Sequence, residues 1–421
     1  MVTEASNTLT DERSSSRAFV IAWVCCLAFY FFEYAVRSAP AVMIPELSNA
    51  FGVSALDVSQ ILGTYYYTYS TTSLVCGLLL DRLGAKFVVP AGVATLGIGC
   101  LIFALPNQTI GDVGRLLQGA GSAFAFTGAV YLASRGLSAA RLATAVGITQ
   151  CLGMLGGTVG QIGTAPLIHA GIGTSTFWTA IGLLILVIGV VLLIATPRET
   201  IRHAASSGGI LSPYRIVLSN PQSYLCGLVA GLLFVPTTIG DMVWGVRFFQ
   251  NDRLFSYSGA VFAVSMVPLG WVFGCPLIGS LADKFGKRKP PLIGGAALML
   301  LAAVQLVYLP TLIPAWATLL IFGIASGAAM VPYTIIKEVN PDEVKGSATG
   351  AINFLTFGVT ALIGPVFGRL YAQTMGSPGV DPAEHFGSAG RFWIVTIAAA
   401  LVVSLFLRET GQTKSAEATK V

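Results

Sequence analysis

Two similar stretches, separated by about half the chain, decide the fold that this sequence predicts. The first is Gly77-Leu78-Leu79-Leu80-Asp81-Arg82-Leu83-Gly84-Ala85-Lys86, and the second is Gly279-Ser280-Leu281-Ala282-Asp283-Lys284-Phe285-Gly286-Lys287-Arg288. Each follows a long apolar run and then places an acid, a base and a turn permitted by glycine in the same order. Duplication of a half-length unit leaves such a repeat behind. The sequence therefore predicts two related halves.

The composition places the chain in a lipid bilayer. Of its 421 residues 54% are hydrophobic and only 10% are charged, with a mean hydropathy of +0.77, whereas about a quarter of a soluble protein is charged. Apolar segments of roughly 20 residues, enough to span the hydrocarbon core as a helix, recur about twelve times. We therefore expect an all-α membrane protein with 12 transmembrane helices in two six-helix, pseudo-symmetric bundles.

The polar breaks between these segments divide the chain into five parts. Residues 1–16 are polar and unpatterned, which predicts a disordered cytoplasmic tail. An N-terminal bundle is expected over 17–197 and a C-terminal bundle over 222–408. A central cytoplasmic loop at 198–221 joins the bundles, and a second cytoplasmic tail occupies 409–421.

The net charge of +5 could suggest a nucleic-acid ligand, but the bases cluster in alternate loops. This asymmetry is the positive-inside pattern of membrane proteins, so both termini are predicted to be cytoplasmic. We expect a multi-pass protein of a bacterial cytoplasmic (inner) membrane, with the lipid bilayer and no nucleic acid as its surroundings.

Several chemistries have no support in the sequence. It contains no nucleotide-binding loop of the Gly-x-x-x-x-Gly-Lys-Ser/Thr type, no cysteine–histidine spacing for a metal and no nucleophile elbow. The seven cysteines lie in apolar runs and are expected to be small buried hydrophobes. We therefore expect neither an enzyme nor a cofactor.

A third motif makes the pattern specific. Arg115-Leu116-Leu117-Gln118-Gly119-Ala120-Gly121 opens the fourth apolar segment, and together with the two loop stretches it resembles the major facilitator superfamily of secondary transporters. The resemblance implies alternating-access transport by a monomer, with the binding site at mid-membrane between the halves. It also associates Arg115 with proton coupling. The alternative is that Arg115 snorkels to the outer interface.

The two loop stretches are interpreted as parts of a gate. An acid at the inner end of the second segment can face the positive N-terminal end of the eleventh helix, which is the hypothesis for Asp81. By pseudo-symmetry Asp283 would face the start of the fifth segment near Arg141. The complete set of predicted gating residues is Asp81, Arg82, Gly84, Arg141, Asp283, Lys284 and Gly286.

Glu33 and Arg37 are four residues apart and share a helix face. Their mutual neutralisation would by itself ease insertion into the membrane. Alternatively, Tyr34 and Arg37 form a Tyr-x-x-Arg motif that resembles the organic-anion and organophosphate branches of the superfamily, in which this arginine contacts the substrate anion. No second arginine follows at the corresponding place in the seventh segment, which favours a carboxylate or a zwitterion over a phosphate.

The second segment carries ten polar or tyrosine side chains in succession, from Thr64 to Ser73. Such groups need partners inside a membrane, so one face must line a cavity or contact another helix. Tyr65 and Tyr69 fall on one face. The candidate substrate-binding residues are Tyr34, Arg37, Tyr65, Tyr69, Gln150, Asp241, Trp244 and Asn353.

Energy coupling needs one titratable carboxylate, for which Glu33 and Asp241 are the candidates, with Arg115 as a third coupling residue. A charge crossing about 100 mV releases about 2.3 kcal/mol, enough for roughly fortyfold accumulation. The predicted function is proton-coupled uptake of a small organic solute bearing a carboxylate, with H⁺ as the second ligand. Alternatives are uptake of amino acids, peptides or nucleosides, drug efflux, for which an uncompensated acid is expected, and a non-transporting sensor on the same fold.

Overall fold

The computed structural model describes residues 2–137, 139–199, 212–375 and 381–411, except for the side chains of 2–15, 81, 139–144, 342, 374–375 and 382–383. Across these ranges the chain forms helices joined by short connections and contains no strand. Residues 200–211 of the predicted central loop and 412–421 of the predicted C-terminal tail lie outside the described residues.

The first half contains eight helices, of which six are long. They are α1 (Val2–Ser38), α2 (Ile44–Phe51), α3 (Ala55–Leu83), α4 (Ala85–Phe103), α5 (Gln108–Gly136), α6 (Ala139–Ile162), α7 (Thr164–His169) and α8 (Thr174–Ala195), with a 3₁₀ turn at Ala39–Val42 after α1.

The second half has the same plan with more interruptions. Its α-helices are α9 (Ser212–Ser219), α10 (Pro221–Val235), α11 (Gly245–Arg247), α12 (Tyr257–Phe285), α13 (Lys289–Tyr308), α14 (Ala315–Ser326), α15 (Val331–Glu338), α16 (Lys345–Met375) and α17 (Pro382–Ser404). Wide π-helical turns at Pro236–Asp241 and Phe248–Asp252 flank α11. 3₁₀ turns lie at Gly327–Met330 and Asp342–Val344.

Eleven helical stretches in the described residues are long and apolar enough to cross a membrane. Helix α3 is not among them, although its 29 residues exceed the length needed to span. Its hydroxyl-rich middle lowers the hydropathy, but Tyr65, Tyr66 and Tyr69 are buried inside the protein and do not face lipid. With α3 as the twelfth span, the all-helical fold predicted from the sequence is confirmed.

The N-terminal segment differs from the sequence prediction. Helix α1 begins at Val2, so its backbone is helical through residues 2–16, where composition predicts disorder. Adding a residue to an existing helix costs far less than starting one. The spanning part of α1 therefore serves as the nucleus from which the polar segment continues as a helix.

The two halves meet along two pairs of helices. Helix α3 packs against α16, and α6 packs against α12. In each half these are the second and the fifth spans, so the two contacts are related by the pseudo-twofold that the repeated loop stretches predict. The cavity described below lies between these two contacts.

Glycines set the closest helix approaches inside the first half. A Cβ at Gly156 of α6 would lie 2.1 Å from the carbonyl oxygen of Phe31 in α1, and one at Gly119 of α5 would lie 2.1 Å from that of Tyr65 in α3. Any larger side chain would push these helices apart. Gly119 of the Arg115 motif thus brings α5 against α3, the helix that carries the tyrosines, and Gly121 brings it against Leu96 in α4.

Candidate functional site

A buried ion pair lies at the centre of the first half. Arg37 and Glu33, one turn apart on α1, have fully buried side chains, and the Nη2 of Arg37 donates to the Oε1 of Glu33. The hydroxyl of Tyr65 donates to the same Oε1 at 2.5 Å and accepts from the Nε of Arg37 at 3.3 Å. Helices α1 and α3 are therefore joined by a closed three-residue network.

Aromatic rings surround the guanidinium of Arg37. Its central carbon lies 4.3 Å from the ring centroid of Tyr34, 4.7 Å from that of Tyr69 and 5.4 Å from that of Phe357 in α16. A cation over a ring face is attracted by the ring quadrupole, more strongly where water is excluded. The rings therefore stabilise a positive charge here while leaving its hydrogen-bonding capacity free.

That capacity is incompletely used. Within the part of the chain that the structure describes, Nη1 of Arg37, Oε2 of Glu33 and Nε2 of Gln150 are buried and have no hydrogen-bond partner. A buried polar atom without a partner costs roughly 1–3 kcal/mol, and more when it is charged. Two donors and one acceptor thus remain for a ligand or for water.

Of these three residues Gln150 lines a narrow cavity between the halves, and Glu33 and Arg37 lie behind it. Seven of its ten lining residues are aromatic. The first half contributes Tyr30, Tyr34, Tyr69, Phe126 and Gln150, and the second half contributes Phe234, Met330, Tyr333, Asn353 and Phe357. The charged pair beside the cavity, Glu33 and Arg37, belongs to the first half, while the second half supplies apolar surface, the hydroxyl of Tyr333 and the amide of Asn353.

Hydrogen bonds fix the polar groups of this lining. The hydroxyl of Tyr30 donates to the Oε1 of Gln150 at 3.2 Å, which leaves the Gln150 amino group as a donor. The hydroxyl of Tyr333 donates to the Oδ1 of Asn353 at 2.9 Å. Across the halves, Tyr66 donates to the carbonyl of Thr238 at 3.1 Å and Ser70 to that of Phe354 at 2.8 Å. The last two bonds would have to change if the halves separated.

Arg115 is completely buried and does not snorkel. Its guanidinium donates to the carbonyls of Val36, Arg37 and Leu62 at 3.2–3.3 Å and to the Oε1 of Gln118 at 2.7 Å. The carbonyl of Val36 needs this donor because the residue four positions later is Pro40, which has no N–H. Arg115 therefore braces the end of α1 that carries Arg37.

Of the sequence-predicted binding residues, Tyr34, Tyr69, Gln150 and Asn353 line the cavity, and Arg37 and Tyr65 lie directly behind it. Asp241 and Trp244 lie elsewhere and line two other cavities. The π-helical turn at Pro236–Asp241 explains their displacement, because each wide turn holds an extra residue and rotates the following side chains relative to an α-helix. Of the three predicted coupling residues, Glu33 contacts Arg37 directly, whereas Arg115 and Asp241 do not contact its side chain.

Sequence reasoning missed several residues of the lining. Tyr30 lies one turn before Tyr34, and Phe357 one turn after Asn353, so helical spacing from a recognised residue could have found both. Phe126 and Phe234 lie in apolar segments, and nothing in their sequence neighbourhood distinguishes them from core residues.

The loop stretches form turns at the end of the molecule that is predicted to be cytoplasmic. Gly84 and Gly286 have φ angles of +71° and +60°, the left-handed region that glycine tolerates. Arg82, Asp283 and Lys284 are exposed. The side chains of Asp81 and Arg141 are outside the described set, so their predicted gate contacts stay predictions.

Asp283 takes part in an ion-pair network at this surface. The Nη1 of Arg288 donates to the Oδ1 of Asp283 at 2.7 Å, and its Nη2 donates to the Oε1 of Glu338 at 2.8 Å. The hydrogen bond to Glu338 is the main cause that raises the pKa of Arg288. Thr410 also donates to Glu338, at 2.5 Å, so the network joins the α12–α13 loop, the end of α15 and the segment after α17.

Twelve spanning helices around a buried polar centre define a multi-pass membrane protein. The model of the Major Facilitator Superfamily matches residues 26–365, which is most of the chain. The chain belongs to this superfamily, as its loop stretches and the Arg115 motif predict.

Individual relatives differ in their described roles. The chain is 25% identical to the membrane sensor protein UhpC of Salmonella typhimurium, over 91% of this chain and 89% of that protein. It is 23% identical to the major facilitator superfamily multidrug transporter mfsC of Aspergillus fumigatus, over 84% and 79% of the two chains.

Solved structures share the fold at lower identity. A bacterial homologue of the human lysosomal transporter Spinster, in an inward-facing and unoccupied conformation, matches with a TM-score of 0.69 and 16% identity over 93% of this chain and 95% of that one. The nucleoside transporter NupG matches with a TM-score of 0.70 and 13% identity over 91% and 99%.

Proposed function

We propose that the protein is a secondary transporter that takes up a small carboxylate-bearing organic solute together with a proton by alternating access. The observation that carries the proposal is the unpartnered Nη1 of Arg37, which is buried beside Glu33 and lies behind Tyr34 and Tyr69 of an aromatic cavity between the halves. An ion pair that only eased insertion would be expected to satisfy its own hydrogen bonds.

The chemistry of the cavity favours a carboxylate. Nη1 of Arg37 and Nε2 of Gln150 are two buried donors without partners in the described part of the chain, and a carboxylate accepts two such bonds. A phosphate would call for a second base, but Arg115 already donates to three carbonyls and an amide. The aromatic lining supports an apolar body on the same solute.

Coupling follows from competition for Arg37. When no substrate is bound to Arg37, Glu33 neutralises its charge. A proton on Glu33 releases the guanidinium, and the substrate carboxylate then takes the place of Glu33. The centre contains one negative charge for Arg37 in both states, which avoids an uncompensated charge in the membrane. We assign the coupling role to Glu33 because it touches Arg37, and a positioning role to Arg115.

The remaining parts of the proposal concern orientation and motion. The clustering of bases in alternate loops supports cytoplasmic termini in a bacterial inner membrane. The cross-half bonds of Tyr66 and Ser70 are among the contacts that would break and reform as the halves rock. The loop network around Arg288 lies at the proposed cytoplasmic end and would stabilise one of the two states. A monomer contains all the parts that this cycle needs.

A ligand screen tests the substrate class. Purified protein would be heated with benzoate, aliphatic monocarboxylates, amino acids, nucleosides and sugar phosphates in separate samples. We expect carboxylates with an apolar body to raise the unfolding temperature most. Stabilisation by sugar phosphates or nucleosides alone would overturn the assignment. Uptake of the best carboxylate into liposomes with an acidic exterior would then test the coupling.

A sensor is the second candidate, since a relative described as a membrane sensor aligns with 91% of the chain. A sensor would bind the same carboxylate at the same cavity but would not move it. Binding in the screen combined with no uptake at any pH gradient would favour this function over transport.

A further inference from the structure

The second half contains a larger cavity of its own, bordered by the Pro236–Asp241 turn and by α12, α13, α14 and α17. Of its sixteen lining residues Asp241 is the only ionisable one. None of the residues that line the cavity between the halves borders it. It is therefore a separate site.

Asp241 is buried without a counter-charge. Only 6% of it is exposed, and its hydrogen-bond partner in the described chain is the amide of Gln161 in α6, at a long 3.5 Å. No described arginine, lysine or histidine forms an ion pair with it. A carboxylate in apolar surroundings is costly unless a cation or a proton neutralises it. The site therefore demands a positive partner from outside the chain.

The wall of the cavity also contains aromatic side chains, the second feature that a site for an organic cation needs. Five aromatic side chains border the same space: Phe248, Phe249, Phe322, Phe386 and Trp393. Trp393 is nine-tenths buried, and its Nε1 has no partner within the described residues. This nitrogen lies close to Gly240, the residue before Asp241, since a Cβ added at Gly240 would be 3.3 Å from it.

We propose that this cavity binds a lipophilic organic ammonium ion, with Asp241 as its counter-ion and the aromatic side chains around its substituents. Cations bind to aromatic faces, and an ammonium with apolar substituents matches a wall that has one acid and no base. A ligand with an additional acceptor would also pair with the indole nitrogen. The inference goes beyond the proposed uptake of carboxylates and does not depend on it.

Phenyltrimethylammonium and its neutral isostere tert-butylbenzene separate charge recognition from apolar filling. We expect the cation to raise the unfolding temperature of purified protein in detergent, with an apparent affinity at least tenfold above that of the isostere. Asp241→Asn should abolish this difference, while Glu46→Gln, the same change at an exposed acid, should preserve it. Asp241→Asn should be at least as stable as the parent without ligand, which checks that it folds.

Ala389→Leu provides a second variant, because it fills part of the cavity and leaves Asp241 in place. It should weaken the binding of the cation at least fivefold. Three results would overturn the proposal: no stabilisation of the parent protein by millimolar cation, equal stabilisation of parent and Asp241→Asn, and equal affinity for cation and isostere. The last two would indicate apolar filling, as by a lipid chain, and the first a carboxylate that takes up only a proton. None of them bears on the binding of carboxylates at Arg37.

Discussion

Two arginine–carboxylate clusters, one buried between α1 and α3 and one at a surface loop, use the same chemistry under opposite conditions. The Glu33–Arg37 pair has no exposed side-chain surface. In the loop network 75% of the Asp283 side chain, 28% of that of Glu338 and 17% of that of Arg288 are exposed. At the surface, Nε, Nη1 and Nη2 of Arg288 all have carboxylate acceptors, whereas Nη1 of Arg37 has none among the described residues.

The difference distinguishes a ligand-binding site from an ion pair that only stabilises the structure. In water a satisfied ion pair contributes little, with typical values of about 0.2–1 kcal/mol. In a buried site the removal of one partner costs about 3–5 kcal/mol, because the other charge is left without compensation. An unsatisfied arginine is therefore maintained at the centre only at a cost, which a bound anion would remove. Four substitutions test this distinction.

Arg37→Ala should have the largest effect. It strands Glu33 in the membrane and removes the anion donor, so we expect a loss of at least a hundredfold in affinity for the carboxylate found by the screen, with destabilisation of about 3–5 kcal/mol. Titration of the purified variant measures the affinity. Arg37→Lys is the matched control for charge, and it should bind weakly because it lacks the planar fork. Unchanged affinity in the alanine variant would exclude Arg37 as the binding residue.

Glu33→Gln should come next. The amide cannot exchange a proton, so uptake driven by a pH gradient should fall from about tenfold accumulation per unit of pH difference to equilibration, while exchange of labelled for unlabelled solute continues. Both are measured in the same liposomes. Gradient-driven accumulation by this variant at the parental level would assign coupling to another group.

Arg115→Gln should act on stability first. It withdraws donors from the carbonyls of Val36, Arg37 and Leu62, and leaving one buried acceptor unpaired costs roughly 1–3 kcal/mol. We expect a fall in the unfolding temperature that added carboxylate partly reverses. Arg82→Gln, at an exposed base in a loop, is the comparison and should shift it by less than 1 °C. If both variants were equally stable, the bracing role would be wrong.

Arg288→Gln should have the smallest effect on stability, about 0.2–1 kcal/mol, and that effect should shrink in high salt. Its effect on the equilibrium between the two states of the transport cycle should be larger than its effect on stability, because Arg288 joins the α12–α13 loop to Glu338. Labelling of a cysteine engineered into the cavity between the halves measures the populations of the two states. Lys287→Gln, at the exposed neighbour, should leave them unchanged. Equal labelling of the two variants would show that the Arg288 network takes no part in the gate.

The sequence predicts those features that local rules determine. The repeated loop stretches predict two glycine turns, and Gly84 and Gly286 both have positive φ angles. Helical spacing predicts that Tyr65 and Tyr69 share a face, and their rings stack with centroids 5.7 Å apart. The place of Asp241 was not predictable in this way, because periodicity assumes an α-helix and the chain there turns in π-helical geometry. Nor was the role of Arg115, since its acceptors come from two other helices.

The most direct test of the exchange at Arg37 is the number of protons that the protein takes up when it binds a carboxylate. Isothermal titration calorimetry of the purified protein in buffers of different ionisation enthalpy gives this number. If the substrate replaces Glu33 as the partner of Arg37, close to one proton should enter per carboxylate bound, and none in Glu33→Gln. Binding of the carboxylate to the parent protein without proton uptake would contradict the exchange.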